Sequence, residues 1–261
     1  MRLLFVDIVE PGWSDYQEGR LIARSLRFKL KWDMLYDATP EMSRFQGDAR
    51  GEFGKTGVGY EVTFQRAQRL LKQVRSAKAR NTKELTKLIQ TATPSVLFLC
   101  AHGFVERGQT TLGGHTSSTR IPLDRLARML KQTDLSSTCV VSSACELGKE
   151  TAIKHLKKVG FGSGIGWPGC TCMTETLSFS MDLFEALAFQ YVLASKPDDE
   201  EAPPPYWIKR AFAFARTNLE SRYRNCNNVF GKSMNTKNSA GYYLHTRPWN
   251  REYTDRPVMW T

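Results

Sequence analysis

His102 and Cys145 are the residues best placed to do chemistry. Each closes a short apolar run. The first reads Val96-Leu97-Phe98-Leu99-Cys100-Ala101-His102-Gly103. The second, 43 residues on, reads Cys139-Val140-Val141-Ser142-Ser143-Ala144-Cys145-Glu146-Leu147-Gly148. An imidazole beside a thiol is the arrangement of an activated cysteine nucleophile. Such a nucleophile needs a thiolate, an acid/base, and donors for a developing oxyanion. Cys145 offers the sulfur and, followed by Glu146-Leu147-Gly148 and then a helical pattern, a backbone amide that can face a substrate. His102 is placed as general acid/base. Gly103 lacks a Cβ, so a substrate carbonyl can approach its amide closely. The opposing consideration is that a lone strand cysteine is usually packing. The pairing with His102-Gly103 carries the catalytic reading.

Other residues bear on substrate choice. Asp7 ends the first apolar run, at the edge where the pair is expected, and is the first candidate for an acidic pocket taking a basic residue. The equal alternative is a capping or structural carboxylate, since Asp commonly bonds nearby backbone. Glu146 adjoins the nucleophile, and Glu175 follows the fifth strand. Trp167 reads equally as an apolar wall for a peptide or as a core residue. Cys170 and Cys172, with Cys145 and His102, nominally make four zinc ligands, but the paired spacing of zinc sites is missing. No metal or cofactor is expected. His115, His155 and His245 read as surface or structural residues. Gly54-Lys55-Thr56-Gly57 lacks the spacing and preceding strand of a phosphate loop.

The elements that must position these groups alternate. Residues 2–9 read as a strand, 15–29 as a helix, 31–36 as a second strand and 38–59 as a loop. Residues 61–91 carry a long helical pattern, broken near Asn81. Strands follow at 96–100, 139–143 and 162–167, separated by a hairpin excursion over 104–121 and helices at 123–132 and 149–159. Helices at 174–193 and 205–223 flank an acidic, proline-rich loop at 196–205, and 242–244 reads as a last strand. Alternation of this kind predicts an α/β fold with helices on both faces of a parallel sheet. The reading is one domain over 1–261: N-terminal strands and helices to 95, a core over 96–193, and a C-terminal helix and extension over 194–261.

A strand ending in His-Gly, followed by one ending in Ala-Cys, resembles the caspase-fold (clan CD) cysteine peptidases. Ser143-Ala144-Cys145-Glu146-Leu147-Gly148 most resembles their CHAT branch, a group with separase-type relatives. The likeness is strongest over 96–192, a little over a third of the chain, and takes in Trp167-Pro168 and the long helix beyond. The N-terminal third fits in element order only, and the C-terminal tail carries no such likeness. The resemblance implies a caspase-like, mostly parallel sheet of about six strands sandwiched by helices. It implies Cys145 as nucleophile, His102 as acid/base, and the amides of Gly103 and Cys145 as oxyanion donors. It also implies that Cys170 and Cys172 line the substrate cleft or pack beneath it. Ser143, two before the nucleophile, departs from the acid of metacaspase-like relatives, which leaves basic specificity open.

Composition sets the outer bounds. Hydrophobic residues make up 41% of 261, enough for a core, and no apolar run approaches the ~20 residues of a membrane span. The N-terminal apolar stretch is too short for a signal-peptide core and is interrupted by Asp7. Six cysteines without framework spacing suit reduced thiols in a cytoplasmic protein. The net charge of +11 admits a nucleic-acid partner, an acidic protein partner or simple solubility. Its densest stretch, Arg66 to Lys87, is read first as a solvated helix face and second as a binding stripe. The expected function is an endopeptidase acting on protein substrates through a thioester, in regulated proteolysis such as bacterial defence or cell death. The expected activator is a partner or sensor protein, a ligand, or the chain's own processing. The alternatives are a catalytically silent caspase-fold adaptor and, behind it, a basic nucleic-acid-associated protein.

Overall fold

The computed structural model describes residues 1–8, 17–37, 60–106, 108–113, 119–169, 173–193, 205–229 and 256–261. The chain is α/β. Six strands form one mostly parallel sheet: β1 (Leu3–Ile8), β2 (Val74–Ala79), β3 (Val96–Cys100), β7 (Cys139–Ser142), β8 (Ser163–Gly166) and β9 (Val258–Trp260), in the order β2-β1-β3-β7-β8-β9. Only the β8–β9 pair is antiparallel. Between β3 and β7 the chain makes a small antiparallel sheet of β4 (Gly103–Glu106), β5 (Gln109–Leu112) and β6 (Ile121–Pro122). Seven helices are described: α1 (Glu18–Asp37), α2 (Tyr60–Gln73), α3 (Thr82–Ala92), α4 (Leu123–Leu130), α5 (Glu150–Val159), α6 (Met173–Leu193) and α7 (Pro205–Val229).

The apolar runs are continuous because the sheet is buried on both faces. Successive side chains of a strand point to opposite faces. Leu3, Phe5, Val96, Phe98, Cys139 and Val141 join one core, packed by α1, α2, α6 and α7. Leu4, Val6, Leu97, Leu99 and Val140 join the other, packed by α3, α4 and α5. At the centre of the first core Phe98 is fully buried against Phe5 and Phe184, at ring-centroid distances of 5.9 and 5.7 Å. The sandwich is the one expected from sequence.

Two element assignments are corrected. Residues 31–36 are not a strand; they continue α1, because nothing between Glu18 and Asp37 breaks a helix and Ile22, Leu26 and Leu30 bury one face at helical spacing. Residues 74–79 are not helix; they form β2, pairing with β1 from Leu3↔Val74 to Ile8↔Ala79. Cations every three or four residues imitate a helix face there, and tertiary pairing overrides the local pattern. The expected loops at 38–59 and 196–204 and the strand at 242–244 lie outside the described residues. Among the described residues, no helix is long and apolar enough to cross a membrane.

Phe98→Ala should lower the unfolding free energy by about 3–5 kcal/mol, the range for deleting a buried aromatic ring. Urea denaturation followed by far-ultraviolet circular dichroism measures it, and a loss below ~1 kcal/mol would show that the two-faced core tolerates a void at its centre.

Candidate active site

The site begins with strand register. β3 and β7 pair in parallel from Val96↔Cys139 to Leu99↔Ser142. His102 and Cys145 each lie three residues past the last matched pair, so the two strands deliver them to the same edge. The strand ends are tied together beyond the ladder. Ser143 N–H and Ser142 Oγ both donate to the Leu99 carbonyl, at 3.2 and 3.1 Å, and Ser142 Oγ accepts the Ala144 N–H at 3.0 Å. Gly103 confirms the close approach: a Cβ there would stand 1.9 Å from the Cys145 carbonyl oxygen. No side chain fits, so glycine is required by the neighbouring backbone as well as by any approaching substrate.

The turn that follows Cys145 is strained and buttressed. Glu146 has φ of 64°, in the left-handed region uncommon for residues other than glycine. Its N–H donates to the Gly169 carbonyl (3.1 Å), and Gly148 N–H donates to the Trp167 carbonyl (2.8 Å). The Glu146 carboxylate is fully used: Oε2 accepts Val105 N–H at 2.8 Å and Oε1 pairs with Lys149 at 2.5 Å. Burial opposes its charge, but Lys149 and the Val105 amide hold it below the usual carboxylate range. Glu146 therefore ties the β4 hairpin, two residues beyond Gly103, to the Cys145 turn. This engagement takes it out of the role of a free pocket acid.

The thiols separate by environment. Among the described cysteines whose side chains are placed, Cys145 is partly exposed while Cys100 and Cys139 are buried. Burial pushes Cys139 up to about 12, and burial with the charges of Glu18 and Asp7 pushes Cys100 well above the ordinary thiol value. Neither is suited to nucleophilic work at neutral pH. The His102 ring is partly exposed and lies 6.3 Å, centroid to centroid, from Phe104, over which the Arg120 guanidinium stands at 5.8 Å.

Asp7 reaches the expected edge, opposite Cys100, but its oxygens are occupied. Oδ1 accepts Gly19 N–H at 2.8 Å and Oδ2 accepts Arg20 N–H at 3.1 Å, satisfying amides of the first turn of α1. The capping alternative describes Asp7, and a second buried acid that sequence did not single out lies at the same edge. Glu18 is 2% exposed, and its Oε1 accepts Thr176 Oγ1–H at 2.9 Å. Oε2 is buried and makes no hydrogen bond of normal geometry among the described residues. Burial raises the Glu18 pKa; the Ser143 hydroxyl, Thr176 and the Cys100 thiol partly offset this, and the charge of Asp7 adds to it. An acid in the first turn of a helix ordinarily needs no explanation beyond the helix dipole, which is why it carried no signal.

Trp167 is a second correction. It is 2% exposed and packs edge-on against Phe179 at 5.6 Å, so it supports the site from the core and presents no wall to a cleft. Glu175 is partly exposed in the first turn of α6, beside Thr176. His155 is buried, its Nδ1 2.8 Å from Thr110 Oγ1, and is structural as expected. His115, Cys170, Cys172 and His245 lie outside the described residues. Among the described residues, no group of three or more His, Cys, Asp or Glu is arranged to hold a metal. No protein-family model matches the sequence, and no curated protein matches it significantly.

Two outcomes follow. Glu146→Ala deletes a charge-assisted bond, a class worth about 1.5–3 kcal/mol, and should speed hydrogen exchange at the Val105 amide by about tenfold or more while amides of β1 stay protected. Unchanged exchange at Val105 would remove the latch. Glu18 and Asp7 have folded pKa values raised by burial, so their contribution is fully present below the unfolded carboxylate range and is lost as pH rises through the folded values. Glu18→Gln should flatten that decline in denaturation curves taken from pH 4 upward; a curve parallel to wild type would show that Glu18 folds without charge cost.

Proposed function

We propose that the chain is a cysteine endopeptidase of the caspase-fold, CHAT-like kind, acting on protein substrates by a Cys145–His102 dyad. The observation that carries this reading is the matched offset of the two residues past the β3–β7 ladder, with the Gly103 and Cys145 backbones in contact. The Cys145 thiolate adds to the scissile carbonyl carbon. The carbonyl oxygen takes the charge beside the amides of Gly103 and Cys145. Collapse breaks the C–N bond, the amine leaves with a proton from imidazolium His102, and a thioester remains. Water then adds to the thioester, giving its proton to His102, and Cys145 leaves as thiolate. No cofactor is required by these steps. The setting would be regulated proteolysis in a cytoplasm, such as bacterial defence or cell death, under the control of a separate activating or sensor protein.

The same edge favours a basic residue at the cleavage site. Glu18 holds a buried carboxylate whose desolvation the Ser143 and Thr176 hydroxyls and the Cys100 thiol offset only in part, with Ser143 two residues before the nucleophile and Asp7 adding negative charge beside it. An arginine or lysine side chain entering there would add a charged donor and neutralise a buried charge.

Incubation with a diverse peptide library, read by mass spectrometry, tests both statements. Cys145→Ala and His102→Ala should each abolish cleavage with the fold intact, and their losses should be strongly non-additive because the groups act as one unit. Limited iodoacetamide should label Cys145 ahead of Cys100 and Cys139. Glu18→Gln should depress cleavage after Arg and Lys far more than after apolar residues. Near-normal turnover in a folded dyad variant would reject the peptidase assignment. Absence of cleavage by the wild-type chain, with Cys145 unreactive, would favour the silent adaptor. Equal losses on both peptide classes would make Glu18 structural.

A further inference from the structure

We infer that the β2 edge of the sheet is a docking site for an acidic, extended segment of a partner protein. This surface is distinct from the dyad, since β1 and β3 separate β2 from β7. Among the described residues β2 is the terminal strand, with β1 its one neighbour. The Val74 carbonyl accepts a bond from the Arg27 guanidinium. From Arg75 to Ala79, no described residue other than those of β1 bonds the backbone. A strand edge of this length offers main-chain donors and acceptors for one added peptide strand.

Charge selects what can use that edge. Arg75 and Lys78 are exposed on β2, Arg69 and Lys72 on α2 behind it, and Lys83 and Lys87 on α3 in front. Glu84 is the one acid between Gln65 and Ala92, and it is spent on the α3 cap, accepting from the Arg80 N–H and the Asn81 side chain. Exposed cations on an edge strand discourage pairing with a second copy of the same strand. The same cations attract a strand of opposite sign, so one feature serves rejection and selection. At the start of β2 a cleft of about 260 Å³ is lined by Arg2, Gln73, Arg75, Thr91 and Thr93, among others. The exposed Arg75 at this cleft suits a carboxylate side chain of the added strand.

A polynucleotide is the competing occupant, and the surface fits it less well. Residues 65–92 contain no Phe, Tyr, Trp or His, so no stacking platform accompanies the charge. Phosphate binding would also leave unused the backbone edge that no described residue pairs with.

The test uses the full chain and an acetylated, amidated ten-residue peptide of alternating Glu and Val. Isothermal titration should show binding, and hydrogen exchange should slow at β2 amides between Arg75 and Ala79. A peptide of the same charge, N-methylated on alternate residues so that it cannot complete the ladder, should bind about tenfold or more weaker. The Arg75→Glu/Lys78→Glu variant should lose affinity to a similar extent. Equal binding of the N-methylated peptide would reduce the surface to non-specific charge and overturn the proposal. So would failure of the peptide to bind. Tighter binding of a twenty-nucleotide oligothymidylate, with β2 amides unprotected, would assign the surface to a polynucleotide instead.

Discussion

The in-register parallel pairing of β3 with β7 is the constraint on which the rest depends. It is fixed by burial on both faces. Leu97, Leu99 and Val140 must reach one core while Val96, Phe98, Cys139 and Val141 reach the other. A slip by one residue would exchange the two sets and move every large side chain to the wrong layer. The register that satisfies the cores also sets His102 and Cys145 at equal distances past the ladder. Core packing thereby fixes the placement of the reactive pair, and a defect in either core would be felt at the strand ends.

Beyond the strand ends, control passes from apolar packing to polar bonds. The β3 chain turns at Ala101-His102 into the β4–β5 hairpin, while the β7 chain turns through Cys145 into α5. These two departures are held together by Glu146 on Val105 and by His155 on Thr110. Both anchoring side chains come from the Cys145 side and both partners from the hairpin. The left-handed φ of Glu146 is a cost that these bonds help to offset. The arrangement fixes the backbone around His102 and Cys145, and Cys145 stays partly exposed.

The legibility of the chain follows the same division. Strands buried on both faces announce themselves as short apolar runs, and β1, β3 and β7 were readable for that reason. The hairpin was readable from its glycines and β-branched residues. The edge strand β2 was not, because an exposed strand shows only a weak alternation and its cations fall at helical spacing. The end of α1 was misread because a short apolar run does not distinguish helix from strand. At the site, His102, Gly103 and Cys145 were legible because each sits at a break in an apolar run. Asp7 was placed at the correct edge, but its use as a cap depends on where α1 begins in space. Glu18 was invisible: its burial arises from packing of α1 against α6, which no local pattern records.

Asp7 and Glu18 illustrate how two acids at one edge acquire different roles. Both are buried, and burial raises the pKa of each. Asp7 offsets its desolvation with two backbone amides that a helix start must leave unpaired in any case. That exchange is favourable in the isolated fold and needs no ligand. Among the described residues Glu18 draws on side-chain donors, the Thr176 and Ser143 hydroxyls and the Cys100 thiol, which offset its desolvation only in part. A group that is incompletely compensated in the folded chain is stabilised when a donor arrives from outside. The difference lies in the supply of donors and not in residue type or depth. It is the physical reason for reading Asp7 as architecture and for proposing Glu18, ahead of Asp7, as the recognition residue.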